Sequence, residues 1–374
     1  MYNGKKVVAM LNCHGDDVVC FRKEIIDELE KQGYLVVLSC PESDRLDVFR
    51  GKESVIVEPV TIDRRGTNPI KDIGLFRSYC KLYKKYKPDV VLAFTIKPNI
   101  YGSIAARRYK IPYVNNITGL GSGFDSSWLI RQVIIHLYRF ALKKSECVCF
   151  QNEENAKIVK KCKIVRNQEC QVIPGSGVNL KKFEYKEYKQ RNKMVFNYIG
   201  RVMKEKSIDD YLACAKKIHQ CCENVEFNII GFIEDTEQEY VAILQQLENE
   251  GVISYKGSQN DVRPFIEECD AIIHPSFYGE GMSNVLLETA AVGRALITTD
   301  IAGCREVVSE GENGYLYAPQ NIEELVECVK RFIELPYEQR KKMSKKSREI
   351  VEKNFSREIV VKKYQDIVAR CVNK

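Results

Sequence analysis

The chain of 374 residues predicts an α/β protein made of two Rossmann-like, doubly wound domains facing a deep cleft. Three observations lead there. Short β-branched runs alternate with helical patterns almost from end to end. The runs are continuously apolar instead of alternating, as strands buried on both faces of a parallel sheet must be. The alternation also halts once, in a polar stretch, and then starts again, and the length suits two ordinary domains better than one.

In the first half, "KKVVAMLNC", "LVVLSC", "SVIVEPV", "DVVLAFT", "PYVNNIT", "CVCFQN" and "CQVIPG" read as strands, most with a helix between them. "VVCFRKEIIDELEKQGY" reads as one helix closed by Gly33. "FEYKEYKQRNK", residues 183–193, is polar, tyrosine-dotted and without apolar period, so it is read as the linker. Beyond it "VFNYIG", "EFNIIG", "ISYKG", "AIIHPS" and "ALITTD" restart the pattern. Helices are expected around 337–353 and 356–370, the last crossing back to the first domain. The expected domains are therefore 1–183, with a returning helix at about 356–374, and 194–355.

Composition excludes several classes. Hydrophobic content of 44% with 29% charged residues fits a globular protein. No apolar run reaches the length of a spanning helix, and the N-terminal residues lack the pattern of a signal peptide. Fifteen cysteines without C-x-x-C spacing, and four histidines, give no zinc framework. An odd number of thiols points to a reducing, cytoplasmic setting. Residues 1–190 hold 33 Lys and Arg against 21 Asp and Glu, and the remainder 25 against 30. So basic a first half suggests an anionic partner, or simply solvated helix faces. No aromatic-basic platform or reader motif is present, so nucleic acid is not an expected partner.

In an open α/β sheet, ligands bind beyond the carboxyl ends of the strands, and the candidate residues cluster at such positions. Gly200 ends "VFNYIG", and Arg201 and Lys206 follow before a helix opens near Ser207. Two cations at a helix start suit a diphosphate. Beyond "AIIHPS", Gly281, Met282, Ser283 and Asn284 lead into "VLLETAAVG" and are expected to present N–H groups to an anion. Glu280 and Glu288 have seven residues between them, and both carboxylates can face one side. Two acceptors on one face suit pairs of sugar hydroxyls. A carboxylate within so apolar a helix as that of Glu288 requires a specific partner.

These residues carry a resemblance. "EGMSNVLLE" resembles the E-x7-E signature of the retaining nucleotide-sugar glycosyltransferases of family four, the glycogen-synthase-like group with the GT-B fold. "GRVMKEKS" resembles that family's G-R-x-x-x-x-K-G, "GCREVVSEGENGYLY" its glycine-punctuated run, and "PGSGVNLKKF" its junction between domains. Ser207 replaces a usual glycine and Asn179 a usual aspartate. The resemblance implies that Glu288 holds the donor ribose and that Glu280, with the Gly281 and Met282 amides, holds the transferred sugar. Arg201 and Lys206 would neutralise the leaving diphosphate. With no D-x-D triplet in the chain, no metal or other cofactor is expected.

"TIKPNIYGSIAARRYKIPYVNNITGLGSGF", residues 95–124, resembles bacterial enzymes that extend lipid-linked oligosaccharides for capsule, O-antigen or glycoprotein assembly. It implies a UDP-sugar donor and a polyprenyl-diphosphate-linked saccharide acceptor. Lys97, Asn116, Thr118, Gly119 and on to Gly121 would line the cleft. His14 and Asp16, beyond the first strand, lie toward the acceptor side, where Asp16 and Asp17 would receive a hydroxyl or simply form a turn. The segment 126–144, with apolar and basic faces and the only tryptophan, Trp128, admits two readings: contact with an anionic membrane, or packing over the sheet. The expected activity is retaining transfer of a hexose or N-acetylhexosamine at the cytoplasmic membrane face. Its alternatives are a silent sugar-nucleotide-binding scaffold subunit and a UDP-sugar epimerase.

Overall fold

A computed structural model describes residues 4–63, 66, 68–120, 124, 128–277, 279 and 281–373. The chain forms two compact units, Met1–Ser176 with Arg357–Lys374, and Gly177–Ser356. Among the described residues, no helix is long and apolar enough to cross a membrane.

In the first unit β1 (Val7–Leu11), β2 (Leu35–Ser39), β3 (Val55–Val57), β4 (Val90–Phe94), β5 (Tyr113–Ile117), β6 (Cys147–Phe150) and β7 (Glu169–Val172) form one sheet. Its order is β3-β2-β1-β4-β5-β6-β7, and every neighbouring pair is parallel. Strand alternation divides β1 between two cores. Val8 and Met10 meet Ile25, Ile26 and Leu29 on one face, while Val7, Ala9 and Leu11 meet Tyr79, Leu82 and Tyr83 on the other. Covering both faces is what makes the strands continuously apolar.

The helix expected over 18–34 is broken. Helices run over Gly15–Phe21 and Lys23–Lys31, with Arg22 between them at φ −127°. Arg22 turns inward, 4% exposed, and sets its guanidinium 4.4 Å from the Phe94 ring centroid. The final helix, Arg357–Val372, packs on this unit, with Val360, Tyr364, Ile367 and Val368 in its core. Arg357 Nη1 lies 2.7 Å from Glu24 Oε2, and Lys363 donates to the Val172 carbonyl at 2.6 Å.

The second unit contains β8 (Met194–Ile199), β9 (Val225–Ile230), β10 (Ser254–Gly257), β11 (Ala271–His274), β12 (Ala295–Thr299) and β13 (Gly314–Tyr317). They lie in the order β10-β9-β8-β11-β12-β13, again parallel. β13 lies within a stretch that the sequence marks only as a motif. It is four residues long, opens on a glycine and occupies the sheet edge, so its apolar signal is slight.

The polar stretch 183–193 is stitched to this unit. Val178 and Phe183 enter its core. The Tyr188 hydroxyl donates to Asp270, whose other oxygen accepts from the Val195 amide at 2.8 Å. Buried Arg294 donates to the carbonyls of Lys186 and Glu267 at 2.8 and 2.7 Å. These side-chain bonds have no apolar period, which is why the sequence pattern reads as a linker. Counted by unit, the first carries 34 Lys and Arg against 21 Asp and Glu, and the second 24 against 30.

Gly231 sets how closely β8 and β9 approach at their carboxyl ends. It adopts φ +151°, and a Cβ there would lie 1.8 Å from the Gly200 carbonyl oxygen. We expect Gly231→Ala to cost about 3 kcal/mol or more. Gly33, at φ +86° with nothing within 4 Å of such a Cβ, should lose only about 1–2 kcal/mol as alanine. Urea unfolding of the two variants checks the difference, and equal losses would refute the close approach.

Candidate active site

In each sheet the chain order reverses once, and the strands on either side of the reversal end in the candidate loops. In the second unit β8 lies between β9 and β11, with Ala271 paired to Phe196 and Ile272 to Asn197. The loops after β8 and β11 therefore flank the switch point, where an open α/β sheet has room for a ligand.

On the β8 side, Arg201 keeps 35% of its side chain exposed and its Nη1 lies 3.5 Å from Glu234 Oε1. The chain then makes a single 3-10 turn, Lys204–Lys206. Ser207 follows at φ 49° and ψ 43° as the N-cap of the helix Ile208–His219. A left-handed residue here accounts for the resembling family's glycine, since a side chain at such φ is strained by about 1–2 kcal/mol. The Ser207 hydroxyl donates to Asp210 Oδ2 at 3.1 Å. Burial raises the Asp210 pKa, and that hydrogen bond opposes the shift.

On the β11 side, Ser283 is the N-cap of the helix Asn284–Val292 but makes no side-chain cap. Its hydroxyl lies 3.2 Å from His274 Nε2, and its amide donates to the Gly303 carbonyl at 2.8 Å. That corrects one expectation: the Ser283 N–H is spent within the fold and is not presented to an anion. Met282 is buried in the apolar core. Gly281 is also buried, whereas Asn284 and Glu288 are half-buried. Glu288 belongs to a helix whose Leu286, Leu287, Thr289 and Ala290 are all buried. Glu280 lies outside the described residues.

In the first unit the reversal falls between β1 and β4. After β1, His14 Nδ1 stands 4.0 Å from Asp17 Oδ1, and Asp16 accepts a hydrogen bond from the Ser43 hydroxyl. Gly15, between them, has no room for a side chain: a Cβ would lie 2.7 Å from the Pro41 carbonyl oxygen. After β4, Thr95 takes φ 72°, an outlier for a β-branched residue, and Pro98–Gly102 form a π-helical turn. Asn99 fixes that turn to β5 by donating to the Asn116 carbonyl at 2.8 Å. Asn115 donates in turn to Asn99 Oδ1 at 3.1 Å and to Ser103 at 2.7 Å.

Lys97, expected to line the cleft, is held in a nearly buried ion pair. Its Nζ lies 2.6 Å from Asp72 Oδ1, with only 12% and 14% of the two side chains exposed. Tyr101 donates to Asp72 Oδ2 at 2.8 Å, and burial together with that bond holds its phenol protonated well above its ordinary pKa. Asn116 is likewise no open wall residue: it is 1% exposed and its amide donates to the Tyr364 hydroxyl. Thr118 and Gly119 are half-buried beyond β5, Gly119 at φ +154°. Gly121 lies outside the described residues. Glu234 and Asp72 escaped sequence reasoning because each meets its cation from a distant element.

Residues 180–350 match the family model described as Glycosyl transferases group 1, and residues 8–152 match Glycosyl transferase 4-like. The chain is 28% identical over 347 residues to the Campylobacter jejuni N,N'-diacetylbacillosaminyl-diphospho-undecaprenol alpha-1,3-N-acetylgalactosaminyltransferase, covering 87% of this chain and 89% of that one. It is also 28% identical over 321 residues to the Escherichia coli UDP-Gal:alpha-D-GlcNAc-diphosphoundecaprenol alpha-1,3-galactosyltransferase, covering 81% of each. Among solved structures, Anabaena HepE in complex with UDP and glucose superposes with TM-score 0.78 at 18% identity, over 97% of this chain and 99% of that one. A glycosyltransferase from Rickettsia africae gives TM-score 0.81 at 16% identity, over 99% of each. Two parallel α/β units, both family models and relatives matched over most of their length agree: the chain belongs to the GT-B glycosyltransferases of the family-four type.

Proposed function

We propose that this protein is a retaining, metal-independent glycosyltransferase that moves a hexose or N-acetylhexosamine from a UDP-sugar to a polyprenyl-diphosphate-linked saccharide. The observation that carries the reading is the second unit's switch point, with Arg201 and Lys206 on one lip and the helix of Glu288 on the other. The relatives from C. jejuni and E. coli bear the names of enzymes acting on undecaprenyl-diphosphate saccharides, and HepE was solved with UDP. In this reading Arg201 and Lys206 stabilise the departing UDP as the anomeric C–O bond breaks. The departing phosphate oxygen takes the proton of the acceptor's hydroxyl while the acceptor oxygen bonds to the anomeric carbon on the face that UDP leaves. Glu288 and Glu280 hold ribose and sugar hydroxyls, so the protein contributes orientation and charge stabilisation.

Work at the inner face of the plasma membrane fits the helix Trp128–Leu142. It does pack, through Ile135, Tyr138, Ala141 and Leu142, but it is apolar on its other side as well. Trp128, Leu129, Val133 and Phe140 are 73%, 66%, 53% and 54% exposed. Residues 129, 133 and 140 share one stripe at helical spacing, and the helix has no acidic residue. An apolar stripe on a helix without carboxylates, in a unit that is basic overall, suits an anionic lipid surface.

Two experiments test these readings. Incubation with UDP-sugars and a lipid-diphosphate saccharide should give transfer. Arg201→Ala with Lys206→Ala should lower it about a thousandfold without changing the unfolding midpoint, and Glu280→Ala should abolish most of it. Wild-type turnover in all of these variants would overturn the site. For the membrane, the emission of Trp128, the only tryptophan, should shift to the blue with phosphatidylglycerol vesicles. The shift should disappear in high salt and be absent with phosphatidylcholine; an unchanged spectrum with both lipids refutes contact.

A further inference from the structure

Just past the helix Ile208–His219, two adjacent thiols stand in contact at the surface of the second unit. The amides of Cys221 and Cys222 both donate to the Ile218 carbonyl, at 3.0 and 2.9 Å, which fixes the turn that carries them. Their sulfurs lie 3.8 Å apart. Cys221 is exposed and Cys222 half-buried. The Cys221 sulfur rests on the carbonyls of Lys217 and Ile218 at 3.4 and 3.5 Å, and Cys222 packs against the core. Each sulfur is thus held by its own contacts, and the pair opens to solvent through Cys221. Glycosyl transfer makes no use of it. The helix has twelve residues and is about 18 Å long, and Ser207 stands at its other end.

Geometry narrows what such a pair can take. A disulfide fits poorly, because adjacent Cα atoms lie about 3.8 Å apart and an unstrained bridge needs about 4.4–6.8 Å. Burial, and the Cys221 sulfur beside it, also raise the Cys222 pKa, so this group remains a thiol near neutral pH and attacks slowly. Two sulfurs bonded at about 2.3 Å to one tetrahedral centre lie about 3.8 Å apart, the separation found here. Zinc, however, needs four ligands, and among the described residues no group of three His, Cys, Asp or Glu side chains could hold a metal ion. Trivalent arsenic needs fewer. In an organic arsenical it is pyramidal, one bond goes to its own organic group, and two sulfurs complete it. Its narrower angle asks the sulfurs to close only slightly. Cys147 and Cys149 also approach to 3.9 Å, but they are 1% and 0% exposed within β6, where a reagent enters only when the sheet opens.

We propose that Cys221 and Cys222 form a bidentate thiol site for trivalent arsenicals of the class R–As=O. Two As–S bonds form as two S–H bonds and the As=O bond break. The oxygen leaves as water with both thiol hydrogens. Arsenic and sulfur keep their oxidation states, so no oxidant or reductant takes part. The site is independent of the glycosyl-transfer reading.

The test treats the reduced, native chain with one equivalent of phenylarsine oxide in excess 2-mercaptoethanol, which strips arsenic from single thiols. Intact mass should show one added phenylarsenic group less two hydrogens, and digestion should place it on the peptide that holds both Cys221 and Cys222. Ethanedithiol should release it. Cys221→Ser keeps a donor for the Lys217 carbonyl and alters an exposed side chain, so the fold is retained. It should nevertheless weaken retention at least about a hundredfold, since one sulfur alone has no effective concentration to close the ring. Cys222→Ser should do the same. A wild-type protein that takes no arsenical overturns the site, as does an adduct that persists in Cys221→Ser. So does a native adduct found instead on Cys147 and Cys149.

Discussion

Parallel strands buried on both faces leave a chain few places for polar chemistry, and that constraint organises this protein. Helices cover Val8 and Met10 from one side of the first sheet and Ala9 and Leu11 from the other, and the second sheet is enclosed in the same manner. Polar side chains then gather at the strand ends, where backbone groups are not yet paired and loops can diverge. Divergence is greatest where the strand order reverses, between β1 and β4 and between β8 and β11. The left-handed Thr95 and Ser207 both lie just past strands that border those reversals.

The same constraint decides what can be read from the sequence. Continuous apolar runs identify the strands because each is enclosed on both faces, and the doubly wound class follows from their spacing. What escapes is whatever depends on one inward-turned polar side chain. Arg22 breaks a helix that its hydrophobic period would continue, because its guanidinium finds the Phe94 ring. Arg294 and Asp270 attach a polar segment that has no apolar period at all. At the candidate sites, Lys97 and Arg201 stand next to their strands and are visible as motif residues. Their carboxylate partners come from 25 and 33 residues away, a distance over which no local pattern survives.

Electrostatics in the two units works on two length scales. The second unit is net acidic, 24 basic residues against 30 acidic, yet it holds the pair suited to a diphosphate. No contradiction arises, since at physiological salt exposed charges are screened beyond about 8 Å. Two cations beside a helix start act at contact distance, where the carboxylate that counts is Glu234, 3.5 Å from Arg201, and the distribution of distant ones scarcely matters. The first unit shows the opposite balance, basic overall with its one candidate cation neutralised by Asp72. Its surplus charge lies on exposed faces, where it favours an extended anionic surface over any single small ligand. Diffuse positive charge on exposed faces and two cations beside one helix start are different placements of the same residue types, the first acting over a surface and the second at contact distance.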